Sequence, residues 1–302
     1  MRSPARLFLR VLVLCALAGA AASCSKADTA KPVATATFAA AKTRLPLGSP
    51  VDLTYKFDVA PDAKIDGNYR VFVHVLDADG KVIWFDDHDP PVPTSQWKPG
   101  QTIGPYTRTV FVPVVPYLGE ATVRLGLYKG DGGARLPLAG LEPADRNSRN
   151  REYKAGTLQM LPSSENLLII NKTGWNQDEY SSDNPSNSWR WTQKLATLSF
   201  RNPRKDVTLY LDYDARADLF PGQPQNVTVY AGDQAVATFA ADSTTQTLRR
   251  IPISAAQLGA GEMTDVKIDV DKTFVPATLP NGGDDHRELG IRVFHVFVEP
   301  KG

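Results

Sequence analysis

Cysteine is nearly missing from this 302-residue chain, which holds only Cys15 and Cys24. Both lie in the first 24 residues, so the rest has no disulfide framework and must be stabilised by burial. Beyond residue 22 there is also no uncharged apolar run long enough to span a bilayer as a helix. Positive charge is not clustered: 34 Lys and Arg stand against 33 Asp and Glu. That balance gives no sign of nucleic acid, which selects for concentrated basic charge. Nucleophile elbows, HExxH, CxxC and phosphate loops are all absent, and with them any motif for those chemistries.

What is present begins with a targeting segment. Arg2, Arg6 and Arg10 form a basic region, residues 11–22 are apolar, and small residues follow. This is the shape of a secretory signal peptide, too short and too charged for a span. Ala21-Ala22-Ser23-Cys24 resembles a bacterial lipoprotein signal, which implies cleavage before Cys24 and its diacylation. Cys15 is the weaker rival, because Leu14 before it is bulky. Removing residues 1–23 takes away three arginines, leaving 279 residues with 31 basic against 33 acidic and a formal charge of −2. Ser25 carries no acidic retention signal, so the expected destination is the outer membrane where the cell has one. Residues 24–34 read as a small, polar tether.

Beyond the tether, alternation dominates. Val51, Leu53, Tyr55, Phe57 and Val59 occupy every second position, with Asp52, Thr54, Lys56 and Asp58 between them. That is a strand with one wet face. Tyr69, Val71, Val73 and Val75 repeat it, as do Ala121, Val123, Leu125 and Leu127. Asp79-Gly80 suits a tight hairpin with positive φ at both central residues. A second block has strand patterns over 195–200, 207–213, 227–230, 236–239, 248–253, 266–270 and 291–298, with one helical turn within 254–261. Short strands at this spacing, punctuated by 23 prolines and 22 glycines, predict an all-β chain of two tandem antiparallel sandwiches. The first, over 35–161, is expected to be immunoglobulin-like and the second, over 162–302, jelly-roll-like.

"YRVFVHVLDADGKVIWFDDHDPPVPTSQWKPGQ", "RTVFVPVVP" and "VRLGLYKGDGGARLPL" resemble an extracytoplasmic β-sandwich module that accompanies membrane glycosyltransferases of the polyprenyl-phosphate-sugar type. "GW…E…WRWT" and "DDHRELGIRV" resemble a second accessory β domain from that setting. The likeness covers most of 69–298 and rests mainly on turn and core residues. It implies an envelope or glycan setting. It does not imply transferase activity, because the membrane spans and acidic loop of those enzymes are missing.

Three clusters are candidates for chemistry. Trp175, Glu179, Trp189, Arg190 and Trp191 precede one strand, and Asp285, Arg287 and Glu288 precede the last. First and last strands of a sandwich commonly lie close, so the two groups are expected to meet. Indoles can stack on a sugar ring while carboxylates and guanidinium groups orient its hydroxyls. The structural alternative is a plug, with Arg190 paired to Asp285 or Glu288 under an aromatic cover. Asp86, Asp87 and Asp89 offer oxygen ligands of the kind calcium takes, the alternative being a solvated loop of turn-forming aspartates. The spacing is not that of an EF-hand. His74 and His295, inside strand patterns, read as packed residues. The expectation is a non-catalytic envelope lipoprotein, anchored through Cys24 and binding glycan. One rival is a docking protein that contacts an envelope complex through edge strands and the loop over 90–105. The other is a glycan hydrolase, which needs only two well-placed carboxylates.

Overall fold

A computed structural model describes residues 28–130, 133–145, 150–183, 187–280 and 282–302. The expected signal segment, Cys15 and the expected lipidation site Cys24 lie outside the described residues. The described chain is nearly all β and forms four sheets, packed as two sandwiches.

In the first sandwich one sheet runs, in spatial order, Thr102–Phe111, Pro50–Val59, Ala34–Ala40 and Leu138–Ala139. The other runs Glu142–Pro143, Tyr153–Leu161, Gly119–Tyr128, Arg70–Leu76 and Val82–Phe85. Pairing is antiparallel except at two short parallel contacts. Ala34–Ala40 meets Leu138–Ala139, and Arg44–Pro46 pairs with the end of Tyr153–Leu161. The alternation at 51–59 works as expected: Val51, Leu53, Tyr55, Phe57 and Val59 are all buried.

The second sandwich sets five strands on five, all antiparallel. One sheet is ordered Ile169–Asn171, Leu195–Arg201, Met263–Val270, Gln225–Ala231, Gln234–Ala241. The facing sheet is ordered Trp175–Tyr180, Ser188–Thr192, Arg292–Pro300, Val207–Asp214, Thr247–Ile253. Its last strand in sequence is therefore the middle strand in space. The helical turn is Ala255–Leu258, fixed by a capping box between Ser254 and Gln257. Each sandwich has its own buried cluster, one built on Tyr55, Phe57, Leu125 and Met160, the other on Phe200, Leu209, Val229 and Ile268.

Two local expectations change. Residues 28–34 of the expected tether are held against the first sandwich. Asp28 binds Arg151 at 2.7 Å, Val33 is buried, and Ala34 opens a strand. At Asp79-Gly80 only Gly80 has positive φ, +79°. The Asp77 carboxylate accepts from the amides of Asp79 and Lys81, so a side chain holds the hairpin turn.

The two sandwiches meet through polar and aromatic groups. Phe111 stacks on His295 with ring centroids 4.2 Å apart and planes 6° apart. His295 also bonds Asp212 at 2.8 Å. Arg250 reaches across to Asp52 and Thr109, Lys42 pairs with Glu299, and Asn166 donates to the Leu47 carbonyl.

Gly126 exposes how tightly the first sandwich is packed. A Cβ there would fall 2.3 Å from the Phe72 ring and 2.7 Å from the Arg151 carbonyl oxygen. Gly126→Ala is expected to lower stability by about 1–3 kcal/mol, read as a reduced denaturant midpoint.

Candidate functional site

The region around the tryptophans is organised by a crossing of the chain between sheets. Ser188–Thr192 belongs to one sheet of the second sandwich and Leu195–Arg201 to the other, so Gln193-Lys194 is the step between layers. Gly174 makes room for that step. Its φ is +77°, and a Cβ would lie 1.8 Å from the Leu195 carbonyl oxygen. This is the physical reason for glycine directly before Trp175.

The crossing splits the Trp-Arg-Trp triplet between two environments. Arg190 is in register with Val293, a residue of the internal core, so it faces the gap between the sheets. Trp191 is in register with Arg292, and Arg292 with Asp214, forming a row across three strands on the outer face. There the Arg292 guanidinium forks onto Asp214, which is 4% exposed. It also lies over the rings of Trp189, Trp191 and Phe294 at 5.0, 5.7 and 5.1 Å. Phe274 and Leu289 cover Trp191, leaving it 7% exposed. Trp191 is thus a plug, and one face of Trp189 is taken by Arg292.

A groove of about 260 Å³ opens beside this plug, at the mouth between the two sheets. Asn171, Trp175, Asp178, Ser188, Arg190 and Phe294 contribute to its lining. Arg190 does not pair with Asp285 or Glu288. It forks onto Asp178 at 2.8 and 2.7 Å, across the hairpin joining Trp175–Tyr180 to Ser188–Thr192. The Trp175 indole donates to the Thr197 carbonyl at 2.9 Å, which fixes the ring as a wall.

The remaining residues singled out in the sequence form a chain along the rim. The Trp189 indole donates to Glu179 at 3.0 Å, Glu179 accepts from Arg287 at 2.7 Å, and Arg287 holds Asp285 at 2.6 Å. The Arg287 hydrogen bonds push the Asp285 carboxyl down to about 2. Glu288 turns away and accepts from Thr273. The two clusters do meet, but the tryptophan-bearing strand beside the last one is Ser188–Thr192; Leu195–Arg201, expected as the first strand, lies in the facing sheet. Asp178, Asp214, Arg292 and Phe294 were missed. Asp214 carried a signal: with Asp212 it alternates against the apolar positions Val207 to Tyr213, marking the outer face of its strand.

The acidic cluster does not converge on one point. Asp86, Asp87 and Asp89 point to separate partners, and among the described residues no group of three or more potential ligands converges. Asp86 is buried at 7% exposure, not solvated, and its carboxylate takes both Arg108 and the Tyr55 hydroxyl. Asp87 accepts from the Val73 amide and lies 3.4 Å from His74, while Asp89 pairs with Arg70. His88 completes the network. One ring nitrogen bonds the Asp86 carbonyl at 2.7 Å, so it is the donor, and the other accepts from the Tyr106 hydroxyl at 2.9 Å. Burial pushes the His88 pKa down, against the opposing pull of Asp86 and Asp87, and Arg108 adds to the decrease.

No protein-family model matches the chain, and no curated protein matches it. Solved structures give partial overlaps. One is a family GH115 4-O-methyl-α-glucuronidase, BtGH115A, with specificity for decorated arabinogalactans. It is 13% identical at TM-score 0.31, over 49% of this chain and 19% of that one. A family 35 carbohydrate-binding module from an environmental isolate is 9% identical at TM-score 0.25, over 45% of this chain and 98% of that one. The CBM51 module of Clostridium perfringens GH95, solved with methyl-galactose, is 14% identical at TM-score 0.24, over 43% and 92%. This chain spans about a fifth of the glucuronidase. Scores this low assign neither a family nor a role.

Two substitutions separate the plug from the groove. Arg292→Ala leaves the buried Asp214 charge unpaired and is expected to cost about 3–5 kcal/mol. Arg190→Ala breaks a partly exposed pair and is expected to cost about 1 kcal/mol or less; equilibrium denaturation followed by tryptophan fluorescence checks both. For His88 the sign is fixed by its lowered pKa: stability is full above the ordinary value of 6.5 and declines as pH falls through it. His88→Asn is expected to flatten that part of the stability–pH curve, measured against the wild-type protein.

Proposed function

We propose that this chain is a non-catalytic cell-envelope lipoprotein whose second sandwich binds a glycan in the groove beside Arg190. The observation that carries the reading is the groove itself. Its volume of about 260 Å³ is just under the roughly 300–1,000 Å³ range of drug-sized ligand sites, which suits a sugar ring. Trp175 supplies an aromatic wall, and Asp178 and Arg190 set acceptors and donors side by side for neighbouring hydroxyls. Asn171 and Ser188 add further polar groups. Trp189 lines the groove with its indole N–H held by Glu179, and Arg287 and Asp285 brace that contact from the rim.

Asp178 is the one carboxylate among the described residues lining the groove, and Arg190 neutralises it. Glycoside hydrolysis takes a facing pair of carboxyl groups, so this lining favours binding over cleavage. The signal-like segment and Cys24 support an exported, lipid-anchored protein, with the outer membrane as destination where there is one. The resemblance to accessory modules of membrane glycosyltransferases supports the same envelope setting.

Titration of the protein with oligosaccharides released from the host envelope, followed by tryptophan fluorescence, tests the reading. A saturable change is expected, weakened about tenfold or more in Arg190→Ala and altered in Trp189→Ala. The absence of a saturable change with every fraction would refute glycan binding in this groove.

A further inference from the structure

The boundary between the sandwiches holds a second cavity, unrelated to the groove. It has a volume of about 300 Å³. Pro46 and Ser49 line it from the first sandwich, Glu165 and Asn166 from the connecting segment, and Phe297 and Glu299 from the last strand. Ser49 is 1% exposed, and its hydroxyl has no hydrogen-bond partner among the described residues. Buried hydroxyls are almost always partnered in folded proteins, so an unpaired one lining a cavity marks a place for a ligand group.

We propose that this cleft is a second ligand site, for a neutral polyhydroxylated ring that bridges the two sandwiches. The lining decides the ligand class. Lys42 pairs with Glu299 beside the cavity, and Glu165 is exposed. An anionic ligand would face two carboxylates. A metal ion would want several carboxylate, histidine or cysteine ligands together, and no group of three converges among the described residues. An organic cation would meet the Lys42 ammonium. Hydroxyl groups, which both donate and accept, satisfy the mixed set of Ser49, Asn166, Glu165 and Lys42. Phe297, Leu167 and Pro46 offer apolar surface for the face of the ring.

Lys42 and Glu299 also line a neighbouring cavity of about 180 Å³, together with Asp52 and Tyr210. The ion pair is therefore a partition between two compartments of one cleft. Tyr210 steadies it by donating to Glu299 at 2.8 Å. Because the ligand touches both sandwiches, its binding stabilises their relative placement.

Amide chemical-shift mapping on the full chain, kept in a polyoxyethylene detergent free of sugar headgroups, tests the site. The probes are D-glucose, D-galactose and N-acetyl-D-glucosamine at up to tens of millimolar, with glycerol as the control for non-specific effects. The expected result is a saturable shift of the Gly48, Ser49 and Asn166 amides with at least one sugar and none with glycerol. Arg190→Ala should leave that shift intact. Ser49→Ala should weaken it about 3- to 10-fold, the loss of one hydrogen bond. Asn166→Ala serves as the second variant should Ser49→Ala fail to fold. Shifts absent at these amides with all three sugars, matched by glycerol, or unchanged in the folded variants would overturn the proposal. Shifts confined to residues 188–190 would overturn it too, while leaving the groove reading standing.

Discussion

The fork between Arg292 and Asp214 fixes the geometry of the tryptophan-bearing end of the second sandwich. Asp214 is buried, so its charge must be matched, and Arg292 matches it from the neighbouring strand in register. Once held there, the guanidinium becomes a flat platform on which Trp189, Trp191 and Phe294 rest. Those aromatics cover the outer face of the sheet and leave Arg190, pointing the other way, free to pair with Asp178 in the groove. One constrained cation thus separates a dry outer cover from a wet inner mouth.

A different logic governs the first sandwich. Its buried polar network of Tyr55, Asp86, His88, Tyr106 and Arg108 is satisfied by its own members. Such a network favours one arrangement of the loop over 86–89, because any slip would strand a buried charge. The contact between the sandwiches is looser in kind, built from a ring stack, cross-boundary ion pairs and cavities.

Legibility in the sequence followed the physics of burial. At 51–59 one face is dry and one wet, so alternation named the inward residues directly. Strands such as Ile169–Asn171 and Trp175–Tyr180 were missed, because edge strands with little burial carry no clear alternation. Glu179, Arg190, Asp285 and Arg287 were identifiable by residue type, but the partner of Arg190 was not. That pairing depends on hairpin register, which sequence specifies only through the packed face. Asp86 misled for a related reason: a run of aspartates looks solvated until the fold supplies Arg108 from a strand 22 residues away.

The central place of Arg292–Pro300 in its sheet bears on how the molecule comes into being. Ser188–Thr192 and Val207–Asp214 touch that sheet partner on either side and have no ladder with each other. Until Arg292–Pro300 is in place, each presents an open edge. The second sandwich is therefore completed only by insertion of this keystone strand.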